Sequence, residues 1–179
     1  REEQVKKFDS LESTDFLILR KAAKTGKPVI ISFGYSSEEE IKFALDTLRA
    51  NGAGNIVALH CVTGYSDQPK LKDMHLKNIK DLRDRFGVLS GFSDNNAGID
   101  IPVIAFSAGA CFVDKHFILD RKIGGPDARF SIEPQELKEM VSRIRSLESG
   151  KEKPPVPAEA LGDVHYGPTN AIEEYNKRW

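Results

Sequence analysis

Cysteine and net charge are both scarce in this chain. Of its 179 residues only Cys61 and Cys111 carry thiols, and both lie inside apolar, strand-like runs. That usage excludes a disulfide scaffold and predicts buried free thiols in a reducing, cytoplasmic setting. The formal net charge is −1, which removes the electrostatic reason to expect nucleic acid or an anionic membrane surface as a partner. No run approaches the roughly 18 apolar residues of a membrane helix, and no charged-then-apolar leader opens the chain. Residue 1 is Arg rather than Met, so a processed or partial piece is expected. The length suits one domain.

What the chain does have is a beat. Five short apolar runs, Val5–Phe8, Pro28–Phe33, Ile56–Cys61, Val88–Phe92 and Cys111–Phe117, are each followed by a stretch of helical period. Alternation of this kind predicts an α/β fold with a parallel sheet. Thr14 or Asp15 caps a helix over Phe16–Thr25, stopped by Gly26. Ser36 and Ser37 followed by Glu38–Glu40 place hydroxyl caps and acids at the positive end of the next helix. Ile41, Ala44, Leu45 and Leu48 then keep the spacing of one buried face. Further helices are expected near Leu71–Phe86, Ile99–Ala108 and Pro134–Ser149. Residues 1–149 read as one unit, and the proline-rich stretch from Gly150 opens a linker and tail over 150–179.

In α/β barrels and open α/β sheets the chemistry gathers at the carboxyl ends of the strands. Here those ends carry Lys7 and Ser10, Ser32 and Gly34, the stretch His60–Tyr65, Ser93 and Asp94, and Asp114–Phe117. A lysine at a strand end holds a phosphate or carboxylate, or forms a Schiff base. A serine hydroxyl beside free backbone N–H groups cradles an anion. An inward His116 and Lys115 would need a metal or an anion to offset their desolvation. Each feature alone is more often an ordinary turn or a solvated charge. Together they fall at the same end of every strand, which is what an anionic small-molecule site requires.

Taken in order, Lys7 through Asp15, Thr25–Ser32, Leu59–Tyr65, Gly91–Asp94, Lys115–Phe117, Gly125–Asp127 and Ser131–Pro134 resemble the sialic acid synthase family, whose members condense phosphoenolpyruvate with an N-acylated hexosamine. The resemblance covers about residues 5–148. It implies a (β/α)8 TIM barrel of which this chain holds about strands 4 to 8, with three βα units supplied from elsewhere and the chain alone unstable as a monomer. It implies that Lys7, Ser10, Ser32, Thr63 and Ser93 hold phosphoenolpyruvate, and that Glu12, Tyr65 and Asp127 lie near the amino sugar. It names Glu12 and His116 as catalytic side chains and His116 as a ligand of a divalent metal, Mn²⁺ or Mg²⁺. The second metal position falls on Asn95, where the family's Ser-Asp-His reads Ser-Asp-Asn; a carboxamide oxygen is a weaker ligand than imidazole for a transition metal. The resemblance further implies a homodimer. A Schiff-base aldolase using Lys7 or Lys115, or a catalytically inactive structural homologue, are the alternative readings.

Overall fold

The computed structural model describes residues 4–62, 64–66, 68–150 and 156–167. Strands β1 (Lys6–Phe8), β2 (Val29–Phe33), β3 (Ile56–Val62), β4 (Leu89–Asp94) and β5 (Val113–Lys115) alternate with helices α1 (Phe16–Ala23), α2 (Glu38–Ala50), α3 (Lys77–Phe86) and α4 (Asp100–Ser107). Helices α5 (Pro134–Glu148) and α6 (Ala158–Leu161) follow. All pairings are parallel, and the strand order in the sheet is the order in the chain. The chain therefore always steps in one direction. Because parallel crossovers are right-handed, every connecting helix falls on one face, and among the described residues no helix covers the other, bare face.

The register separates the two faces. Phe8, Ile31, Ala58 and Ser90 form one row, all buried against the helices. Lys7, Ile30, Val57 and Leu89 form the adjacent row on the bare face, where Leu89 is 53% exposed. The core fills the space between helices and sheet: Leu19, Ile41, Leu45 and Leu48 pack against Val29, Ile31 and Ala58. Ile79, Phe92 and Ile101 continue it beneath α3 and α4. Gly91 lets β5 approach: a Cβ there would collide with the Phe112 carbonyl and lie 2.7 Å from Leu59 Cδ2.

The sheet is strongly curled. Lys7 Nζ on β1 stands 3.2 Å from Asp114 Oδ2 on β5, although these are the two edge strands. A flat sheet would hold them four strand spacings apart, roughly 19 Å. Closing that gap with side chains from opposite edges requires the bare face to be concave.

Sequence and structure part in several places. Asp15, not Thr14, caps α1, accepting the Ile18 N–H at 3.1 Å. Ser37 and Glu40 close the capping box of α2 as the hydroxyl-then-acid pattern requires. The helix expected over Leu71–Phe86 is broken into a short 3-10 turn (Leu71–Asp73) and α3. Between them His75 takes φ +46°, the Met74 carbonyl meets His60 Nε2 at 2.8 Å, and the Leu76 N–H donates to the Ala160 carbonyl. Tertiary partners thus take the backbone groups that a continuous helix would use. Cys111 is exposed, not buried, because β5 begins only at Val113 and forms the sheet edge. Residues 156–167 lie against α3: the Tyr166 hydroxyl donates to Asp81 at 2.7 Å, and Asn78 accepts the His165 N–H at 2.9 Å.

Candidate active site at the carboxyl rim of the sheet

At the carboxyl end of the concave face lies a cavity of about 370 Å³, walled by residues from every strand or the loop after it. Lys7, Ser10, Ser32, Tyr65, Ser93, Asn95 and His116 border it together. Glu12 and Asp127 stand outside its walls, and Thr63 lies outside the described residues. Glu12 closes the loop after β1, its Oε2 accepting the Asp9 N–H at 2.9 Å. Asp127 accepts the Ser131 hydroxyl on its backbone carbonyl.

Lys7 is one of two lysines in the cavity wall, its side chain 37% exposed. Its ammonium contacts Asp9 at 2.6 Å and Asp114 at 3.2 Å. Burial pulls its pKa down, but the hydrogen bond to Asp9 and the charge of Asp114 outweigh it, so Lys7 sits above the ordinary lysine value. Asp114 also accepts the Ser93 hydroxyl at 3.0 Å. It thereby orients a lysine and a serine from opposite sides of the cavity. Sequence reasoning placed Asp114 at the end of the last strand but gave it no role; strand alternation puts it on the same face as His116.

Ser10 is buried and its Oγ accepts the Gly34 N–H at 2.9 Å, tying the ends of β1 and β2 together. Ser32 is only 2% exposed, and no described residue satisfies its hydroxyl. An unpaired buried hydroxyl costs stability unless a ligand or water completes it. Cys61 forms part of the wall beside it; burial pushes its thiol up to about 11, so it is neutral and not a nucleophile at ordinary pH.

Lys115 and Asp94 are a different case. Their side chains are 3% and 0% exposed and meet at 3.0 Å. Lys115 also donates to the Asn96 carbonyl and, at 3.4 Å, to the Phe130 carbonyl. Burial pushes the Asp94 carboxyl up, with the Lys115 charge opposing it. The desolvation of Lys115 is therefore met by Asp94 and two carbonyls, not by the metal or anion that the sequence led one to expect.

His116 Nε2 faces the Tyr65 hydroxyl at 3.4 Å, and Tyr65 packs against Phe130 with ring centroids 5.1 Å apart. Partial burial, then the charge of Asp127, holds the Tyr65 phenol above its ordinary value. Asn95 donates to Cys61 Sγ at 3.6 Å. As metal donors, His116 and Asn95 offer one imidazole and one neutral carboxamide. Among the described residues no group of three or more His, Cys, Asp or Glu is placed to hold a metal ion. This donor set does not by itself make a divalent-metal centre.

A parallel sheet with its connecting helices on one face, and a polar cavity at its carboxyl rim, defines an α/β protein of the kind that carries its site at the strand ends. The comparisons with known proteins agree. The NeuB family model matches residues 2–153, and the chain belongs to the NeuB family. It is 41% identical over 144 residues to the N,N'-diacetyllegionaminic acid synthase of Campylobacter jejuni, a match covering 79% of this chain and 42% of that one. Among solved structures it superposes on the spore coat polysaccharide biosynthesis protein SpsE of Bacillus subtilis with a TM-score of 0.83 at 32% identity, covering 97% of this chain and 49% of that one. It superposes on the sialic acid synthetase of Leptospira borgpetersenii with a TM-score of 0.77 at 28% identity, covering 98% and 57%. The chain spans about half the length of the curated relatives it matches. Among the described residues no helix is long and apolar enough to cross a membrane.

Proposed function

We propose that this chain forms strands 4 to 8 of a (β/α)8 barrel, and that the complete barrel joins phosphoenolpyruvate to an N-acylated hexosamine, giving a nonulosonic acid and phosphate. In that reaction C3 of phosphoenolpyruvate bonds to the aldehyde carbon of the open-chain sugar, whose oxygen gains a proton. Water adds to C2 and loses a proton, and the bond from C2 to the phosphate oxygen breaks. The names of the relatives, synthases of legionaminic and sialic acids, support this reading. The observation that carries it is the buried, unsatisfied Ser32 hydroxyl beside a fixed cation in a cavity shared with Ser10 and Ser93.

Lys7 supplies a full positive charge to the carboxylate or phosphate of phosphoenolpyruvate. A ligand entering the cavity displaces the 77% exposed Asp9 from Lys7, while Asp114 keeps the lysine and Ser93 aimed. Ser32 donates to the anion's oxygens, and Ser93, whose hydroxyl proton goes to Asp114, borders the anion. Preset donors and charge of this kind position the reactants and stabilise the charge that develops on them. On the family pattern Glu12, Tyr65 and Asp127 are assigned to the sugar side, Thr63 to phosphoenolpyruvate and His116 to catalysis. Among the described residues the outer edges of β1 and β5 have no paired strand, so the remaining strands come from another part of the protein or from a second copy in a homodimer.

The Schiff-base reading fares worse. An imine-forming lysine must reach its neutral form, whereas Lys7 is held protonated by carboxylates and Lys115 is sealed in an ion pair. The test is the complete protein with phosphoenolpyruvate and N-acetylmannosamine or a diacetamido-trideoxyhexose. Phosphate release that requires the sugar, with a product of joined carbon skeletons, is expected. Borohydride trapping of pyruvate on a lysine, or no sugar-dependent phosphate release with any acceptor, would overturn it.

A further inference from the structure

One cavity side chain has no place in the family pattern quoted above. Tyr35 follows Gly34 at the end of β2 and forms part of the cavity wall with Leu11 and Tyr65. It is half-buried, and no hydrogen bond to its hydroxyl is seen among the described residues. Its backbone is pinned on both sides. Before it, the Gly34 N–H donates to the buried Ser10 hydroxyl at 2.9 Å. After it, the 2% exposed Ser36 shares a hydrogen bond with Ser13 at 2.8 Å, and Ser13 donates to the Ser10 carbonyl at 2.7 Å. One residue further, Ser37 caps α2. A loop fixed this firmly presents the Tyr35 ring at a set position, with little conformational freedom left to lose on binding.

The lining of the cavity is chemically mixed. Lys7, Ser10, Ser32 and Ser93 supply a cation and hydroxyls. Leu11, Tyr35 and Tyr65 supply carbon surface and phenol hydroxyls, and Leu11 is 78% exposed. An anion suits the first set. The second suits a group that is part methyl and part amide carbonyl: aromatic and aliphatic carbon for the methyl, a phenol donor for the carbonyl oxygen.

Resting on the proposed synthase reading, we infer that Tyr35 is a specificity-determining residue that contacts the N-acyl substituent of the sugar. Its ring and Leu11 form the wall against the acyl methyl, and its hydroxyl donates to the amide oxygen. The assignment separates Tyr35 from the residues that hold phosphoenolpyruvate, so its loss affects one substrate and not the other.

The experiment uses the complete protein with whichever of N-acetylmannosamine or a diacetamido-trideoxyhexose it turns over best, together with the matching N-propanoyl sugar. Tyr35→Phe is expected to lower kcat/KM for the acyl sugar on the order of tenfold through the lost hydrogen bond. The KM for phosphoenolpyruvate and the melting temperature should stay where they were. Tyr35→Ala is expected to narrow the preference for acetyl over propanoyl, because the wall that limits the acyl chain is gone. Equal sugar kcat/KM in wild type and both variants, or a change in phosphoenolpyruvate KM instead, would overturn the role of Tyr35 and leave the synthase reading standing. Absence of turnover by the wild type with every acceptor would overturn the synthase reading and this assignment with it.

Discussion

The two ends of the rim hold their lysines in opposite ways. At β1, Lys7 is 37% exposed and shares its charge between one carboxylate that is nearly in water and another across the cavity. At β5, Lys115 is 3% exposed, paired with an Asp94 that water does not reach, and its remaining donors are taken by carbonyls of two loops. Both are lysines at strand ends in the same cavity wall, and sequence alone treats them alike. The difference teaches which one is free to act. A cation with an exchangeable partner can accept an incoming anion. A cation whose partner is buried must keep it, because breaking the pair strands a charge. Lys7 is thus the lysine proposed for binding, and Lys115 belongs to the scaffold.

The largest expected effect follows from that contrast. Lys115→Met should destabilise the complete protein by about 3–5 kcal/mol, since it leaves Asp94 buried and unpaired. Pairing it with Asp94→Leu should recover most of that loss. Urea unfolding of the single and double variants is the measurement; a single variant as stable as wild type would mean that the pair is not sealed.

His60 extends the comparison to pH. It is fully buried, and burial drives its pKa down to about 4 despite the bond to the Met74 carbonyl, with His75 and His165 adding to the shift. The unfolded side chain takes up its proton near pH 6.5. Stability from keeping His60 neutral is therefore complete above about pH 6.5 and is lost as pH falls from there to about 4, a change of about 3 kcal/mol. His60→Gln should flatten the pH dependence of unfolding across that window. Parallel curves for the two proteins would show that other groups carry it.

Ser32→Ala should give the smallest effect and the most selective one. Its hydroxyl has no partner among the described residues, so the variant should be as stable as wild type or more so. Its affinity for phosphoenolpyruvate should fall by about 0.5–1.5 kcal/mol, read by calorimetric titration. A variant that loses stability and keeps its affinity would move Ser32 from the site into the core.

Much of this was legible in the residues. The βα beat fixes a parallel sheet, because apolar runs of strand length separated by amphipathic stretches have few other ways to bury both. The rim residues Lys7, Ser10, Ser32 and Ser93 were readable because strand ends are where such sheets put their chemistry. What escaped was non-local. That Asp114 on one edge strand meets Lys7 on the other depends on how sharply the sheet curls, which no local pattern encodes. Lys115 resembled a site residue because Asp94, its partner, sits on a neighbouring strand in a register visible only once the strands are paired. The break at His75 is imposed by His60 and by Ala160, which is remote in sequence. Cys111 looked buried because its run is apolar, but an edge strand covers fewer of its residues than a central one.

The central claim is that the β1 end of the rim binds the anionic substrate through an exchangeable lysine. Titrating phosphoenolpyruvate into the complete protein and its Lys7→Ala variant tests it most directly, with thermal melting of both run alongside. The account predicts a loss of about 1.5–3 kcal/mol in affinity, roughly tenfold to a hundredfold, with melting nearly unchanged. Equal affinity in the two proteins, or a Lys7→Ala variant that melts early and binds normally, would contradict it.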